Sequence, residues 1–390
     1  MAAEALTEQG LGVDIYDAMP SLGRKFLMAG KSGLNITHAE NLDTFLSRYT
    51  SPNARVADIV AAFPPQAVID WMKGLDITAH TGPTGRVFPQ QMKASPLLRN
   101  WLTRLQQRGA TLHPRHLWQG WDKAGALKFK NPEGAITAKP AATILALGGA
   151  SWKRLGSTGE WTAWLAEKKI PLVPFQPSNC GFTANWSDHL KQKFAGKPVK
   201  AVRLIVQAPD GPQITRSEFV ITKTSLESGG IYTLSAALRS ALTHDGSATL
   251  MLDLVPDIKI ADLSQRLSRP RGKQSLSNHL RKTAGLSAVK LALLYEVTTK
   301  EILNDPDKLT QTLKALPITI TGTAPLDQAI STIGGVAWSA LNDQLMLGAA
   351  PGVFCAGEMI DWDAPTGGYL ITACLAMGRA VGQSAAAWLK

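Results

Sequence analysis

The residues best placed by type and spacing to do chemistry lie near the C-terminus: Gly357 and Glu358, then Asp361, then Gly367, Gly368 and Tyr369. The run 352–356 is short and apolar and reads as a buried strand. From Leu370, apolar residues recur at Ala373, Cys374, Met377 and Val381, a spacing of threes and fours that predicts a helix with one packed face. Paired glycines let a ligand approach the first N–H groups of such a helix, and that end carries partial positive charge. The chemistry on offer is stabilisation of an anion, with two carboxylates close by in sequence. A plain turn between a strand and a terminal helix would use the same glycines, so the other motifs decide.

Five stretches upstream must position that site. Residues 2–9 read as helix, and 13–16 as a strand ending at Asp17. This is the second half of a dinucleotide-binding βαβ unit, with Asp17 set to accept ribose hydroxyls. The run 22–37 holds Arg24 and Lys25, cations for a diphosphate; Gly30 and Gly33, which allow a tight loop; and Ser32, Asn35 and Thr37, which offer hydrogen bonds. Residues 41–75 read as helical with breaks at Pro52 and at Pro64-Pro65, and 110–118 as a strand. The apolar run 141–147 suits a central parallel strand, and Gly148 and Gly149 follow where open α/β sheets bind ligands.

In this order the motifs resemble a known family. A strand ending in Ala-Gly-Glu, an acidic loop and Gly-Gly-Tyr opening the last helix is similar to the C-terminal flavin segment of two-dinucleotide-binding-domain flavoproteins. With the "G-R-K … S-G" run, the "G-R-V-F-P … K-A-S" element around Arg86 and Lys93, and the glycines at 148–149, the chain resembles the HI0933-like or YhiN-like (BaiN-type) NAD(P)/FAD-dependent oxidoreductases. The resemblance implies an α/β fold. A three-layer, Rossmann-like FAD/NAD(P)-binding domain is built from both chain ends, 1–182 and 326–390, around a mixed α/β insert at 183–325.

It also implies a cofactor and a reaction class. FAD would be contacted by Asp17, Arg24, Lys25, Ser32, Gly33, Asn35, Thr37, Gly148, Gly149, Gly357, Glu358, Gly367, Gly368 and Tyr369, with Arg86 and Lys93 as further anion contacts. The implied activity passes a hydride from NAD(P)H through flavin N5 to a small unsaturated organic substrate. Glu358 and Asp361 are expected to hold ribityl hydroxyls rather than move protons, and Tyr369 either to donate a proton or to pack over the ring. No residue is singled out as catalytic. The family's first strand and its G-x-G-x-x-G loop have no counterpart, and Met1 falls just after that loop, as an internal methionine or a truncated reading frame would give. The matching alternative is a non-catalytic chain that binds no FAD.

Composition bounds the rest. The chain has 390 residues, enough for two domains, with 45% hydrophobic and 18% charged residues. No apolar run approaches the roughly 20 residues that span a bilayer and no leader pattern opens the chain, so the expectation is a cytoplasmic protein without membrane contact. Cys180, Cys355 and Cys374 form no C-x-x-C pair, and His113 with His116 is the sole close histidine pair, so neither a dithiol centre nor a metal site is expected. The formal charge is +11, and no acidic residue occurs between Asp262 and Glu296, where Arg266, Arg269, Arg271, Lys273, Arg281, Lys282 and Lys290 fall. That stretch reads as a solvated face or a phosphate-contacting one. With the kinship of the FAD fold to flavin-dependent tRNA-modifying enzymes, it supplies the second alternative, a flavoprotein acting on RNA. Oligomeric state is left open.

Overall fold

The computed structural model describes residues 1–30, 33–49, 54–208 and 211–390; Ser32 and the break at Pro52 lie outside the described residues. The chain divides into two compact units, one made of 1–176 with 330–390 and the other of 177–329.

The first unit is built on two parallel ladders. Strand Val13–Asp17 pairs with Ala110–Pro114, Val13 opposite Ala110, and the intervening chain includes helix Ala94–Gln107. Strand Val353–Cys355 pairs with Thr143–Leu145, Val353 opposite Thr143. Among the described residues, Val13–Asp17 and Thr143–Leu145 each have a strand partner on one edge only. Parallel strands are stable when both faces are covered, which is why Val353, Phe354 and Cys355 are all apolar and buried. The 20-residue helix Tyr369–Trp388 covers this ladder and packs on helices Ala2–Thr7 and Arg55–Ala62. Its small residues Ala373, Ala376, Ala385 and Ala386 are buried, and a Cβ on Gly382 would stand 2.8 Å from Ala5 Cβ, so helix Ala2–Thr7 lies close against it there. Helix Ala2–Thr7 is also fixed by Glu4, a buried carboxylate that accepts from Trp101 Nε1 at 2.7 Å and pairs with Arg104 at 2.9 Å and Arg108 at 2.8 Å.

Three local readings change. The strand expected over 110–118 is two strands, Ala110–Pro114 and Leu117–Trp121. Arg115 breaks it with φ 60°, and its N–H turns back to Met19 O. The strand expected over 141–147 narrows to Thr143–Leu145, as its partner is itself three residues long. The described part of 41–75 is three helices, Leu42–Leu46, Arg55–Ala62 and Pro65–Lys73, the last opening with proline where the ring costs no hydrogen bond.

The second unit carries a seven-stranded antiparallel sheet in the order Leu316–Ile320, Ala248–Asp253, Pro198–Ala208, Gly211–Ile221, Ser225–Glu227, Phe182–Thr183, Gly322–Thr323. Alternation sets its buried face: Val202, Leu204 and Val206 point inward with Leu250, Leu252, Ile318 and Ile320. Helices including Ile260–Leu267, Leu276–Ala284, Ala288–Val297 and Pro306–Lys314 add Leu263, Leu280, Leu294 and Leu313 to the same core. Among the described residues no helix is long and apolar enough to cross a membrane.

Candidate functional site

The start of helix Tyr369–Trp388 is where the first unit concentrates polar groups. Gly367 and Gly368 have φ 127° and 94°, and no side chain caps the helix. A Cβ on Gly368 would stand 2.5 Å from both N and Cα of Thr37, so glycine alone lets loop 35–37 lie against the helix start. That loop is braced. The Thr372 hydroxyl is 2.9 Å from Gly368 O and 2.9 Å from Thr37 Oγ1, all of it buried. Asn35 Nδ2 donates to Thr37 O at 2.8 Å and to Val87 O at 3.1 Å. Thr37 Oγ1 and Asn35 Nδ2 thus hold the loop in place, and the donors that the helix start leaves without an intrahelical acceptor are backbone N–H groups.

Tyr369 is held from the side. Its hydroxyl donates to Glu40 Oε1 at 2.6 Å, and Arg48 donates to both Glu40 oxygens, at 3.3 and 3.0 Å. Tyr49 donates to Tyr369 O at 3.0 Å. Burial pushes the Glu40 carboxyl up, but the bonds from Arg48 and Tyr369 outweigh it and hold it below its usual value. Burial, and then the hydrogen bond to Glu40 and the charge of that group, drive the Tyr369 phenol well above its ordinary range, so it stays protonated. At 5% exposure the ring packs against Phe45 and His38.

A second network joins residues far apart in the chain. Lys25 Nζ lies 2.6 Å from Glu358 Oε2 and 3.1 Å from Ser151 Oγ. Glu358 is 8% exposed, and its other oxygen accepts from Thr332 N at 3.0 Å. Thr332 Oγ1 in turn accepts from Ala150 N at 3.3 Å. A Cβ on Gly149 would overlap Thr332 Oγ1 and stand 3.2 Å from Glu358 Cδ, which is why a glycine sits there. The carbonyls of Gly148 and Gly149 accept from Trp161 Nε1 and Ser157 Oγ, each at 3.0 Å, and Gly357 O from Trp362 Nε1 at 2.9 Å.

The structure therefore brings Lys25, Gly149 and Glu358 into one network, and Asn35, Thr37, Gly368 and Tyr369 around one helix start. Gly33, with φ 125°, sits against Met92. Arg24 Nε donates to Ser21 Oγ at 3.1 Å, and Arg86 and Lys93 are exposed. Asp361 Oδ1 accepts from Gly334 N at 3.0 Å. Thr332, Glu40, Arg48 and Thr372 were missed from the sequence; the available signal for Thr332 was a polar Ser331-Thr332 pair just ahead of Gly334-Gly335. Among the described residues no group of three histidines, cysteines or carboxylates is placed to hold a metal ion.

Asp17, at the end of its strand, accepts from Met19 N at 2.8 Å. Burial raises its carboxyl above the ordinary value, against the opposing backbone bonds from Met19 and Gly23. The folded protein then holds that proton more tightly than the unfolded chain. The group's contribution to stability is greatest below the ordinary value of 3.8 and is lost as pH rises through the raised folded value. Asp17→Asn, which keeps the acceptor for Met19, is expected to leave ligand-free stability unchanged at about pH 3 and to raise it at about pH 7. Urea unfolding at the two pH values checks this.

Comparison with known proteins gives two findings. A family model described as the HI0933-like protein Rossmann domain matches residues 1–384. Among solved structures, the FrdA chain of E. coli quinol fumarate reductase shares 12% identity over 99% of this chain and 68% of that one, with a TM-score of 0.52. The 3-ketosteroid-delta4-(5alpha)-dehydrogenase of Rhodococcus jostii RHA1 shares 13% over 99% and 94%, at 0.50. The 3-ketosteroid delta1-dehydrogenase of Sterolibacterium denitrificans shares 11% over 99% and 97%, at 0.51. At these identities the likeness is one of fold, and the chain spans about two thirds of the fumarate reductase chain it matches.

Proposed function

This chain belongs to the HI0933-like family of Rossmann-domain proteins, and from that premise we propose that its first unit holds FAD and that the protein is a FAD-dependent oxidoreductase. The observation that carries the reading is the helix start at Gly368: left-handed glycines, no capping side chain, and loop 35–37 braced against it. Bound flavin would supply two-electron hydride chemistry. The residues fit that group. Free N–H groups and the helix dipole stabilise the negative charge that a reduced flavin carries at its pyrimidine end.

Glu358, fixed through both oxygens by Lys25 and Thr332, would accept from ribityl hydroxyls through its remaining lone pairs. Lys25 pairs with that carboxylate at 2.6 Å, and Asp17 would present an acceptor at the end of its strand for the ribose. Tyr369, bonded to Glu40, has its side chain fixed at the first turn of the helix.

NAD(P)H as reductant and a small unsaturated organic molecule as acceptor complete the proposal. The FAD-loaded protein, mixed anaerobically with NADH or NADPH, is expected to lose its flavin absorbance with at least one of them. If neither bleaches the flavin while dithionite does, the nicotinamide part of the reading fails and the FAD part stands.

A further inference from the structure

We propose that the second unit binds a nucleic-acid strand by its phosphates, on the surface formed by the end of helix Ile260–Leu267, the connection 268–275 and helix Leu276–Ala284. Arg266, Arg269, Arg271, Lys273, Arg281 and Lys282 are all exposed there, and the chain has no acidic residue between Asp262 and Glu296. Among the described residues the unit's ion pairs lie elsewhere, as in Arg216–Asp257, Lys308–Asp305 and Lys314–Asp253. The two helices pack through Leu263, Leu267, Leu280 and Ala284, and Arg266 Nη1 reaches Thr283 O at 3.4 Å, beside Lys282. Lys290 is not part of this surface. It donates to Ala201 O and Leu254 O at 3.0 and 2.6 Å, and burial lowers its pKa.

Three features select the partner. Four of the six cations are arginines, whose planar fork matches phosphate oxygens. No large apolar side chain is exposed between Ile260 and Tyr295, so the surface has nothing to insert into a lipid layer and no apolar anchor for a protein partner. The exposed aromatic at its border, Tyr295, is tied to Ser277 at 2.9 Å, which leaves contacts to the backbone rather than to bases. The surface therefore reads charge spacing and not sequence. This inference stands apart from the flavin reading and survives its failure.

The test is fluorescence anisotropy of a labelled oligouridylate of about 20 nucleotides, titrated with the full protein between about 50 and 200 mM salt. Six phosphate contacts on a single strand predict a slope of log K against log salt of about −4. The triple variant R269Q/R271Q/K273Q, changed only at exposed loop positions, is expected to bind at least about tenfold more weakly with a slope smaller by about 2. K123Q/K128Q/K130Q removes the same charge from the exposed face of strand Leu127–Asn131 and its turn, and is expected to leave binding unchanged. Equal weakening by both variants, no binding by the unaltered protein, or capture by phosphatidylserine vesicles without RNA binding would each overturn the proposal.

Discussion

Gly368→Ala is expected to destabilise the first unit by about 3–5 kcal/mol and to lower its melting temperature by roughly 10 °C. Two costs add. The residue has φ 94° and ψ −9°, a conformation that charges an L side chain about 1–2 kcal/mol. The new methyl would also stand 2.5 Å from Thr37 N and Cα. Those are backbone atoms that cannot swing aside, because Thr37 is tied to Thr372, Asn35 and the strand Arg86–Pro89. Gly109→Ala separates the two costs: its φ is 91°, and nothing lies within 4 Å of a Cβ there. That variant is expected to lose only about 1 kcal/mol in a urea titration.

The second large effect concerns Lys25 and Glu358. Removing one partner of a buried pair leaves the other charge poorly solvated, and Glu358 is 8% exposed while Lys25 is 28% exposed. Lys25→Met and Glu358→Gln are each expected to cost about 2–4 kcal/mol, and the double variant clearly less than their sum, because the second change relieves the charge stranded by the first. The pair Arg216–Asp257 is the contrast. Its N–O distance is 2.8 Å, but both side chains are more than half exposed, so neutralising either is expected to cost less than about 1 kcal/mol. A double-mutant cycle on each pair checks the difference.

How much of this could be read from residue order depends on the range of the interaction. The terminal strand and helix were legible because period and small-residue content are local: the strand is Val353–Cys355 and the helix Tyr369–Trp388. The apolar–polar alternation of residues 199–207 is local in the same way, and that segment forms the long strand Pro198–Ala208, with Val202, Leu204 and Val206 inside. The candidate site was legible as a set of residue types but not as a network. Lys25 meets Glu358 across 333 positions, and Thr332 joins them through its backbone N–H, a group every residue but proline possesses. Glu40 looked like an ordinary loop acid until Arg48 and Tyr369 closed on it. The break at Arg115 was hidden too, since a left-handed arginine leaves no compositional mark.

The most direct test of the central claim is retention of FAD by the purified protein after incubation and desalting, read from the visible flavin absorbance and the quenching of flavin fluorescence. The account predicts that the protein and its Gly109→Ala variant retain FAD, whereas Gly368→Ala releases it. A colourless, folded protein that quenches no added FAD, or a Gly368→Ala variant that retains flavin as well as the unaltered chain, would contradict it.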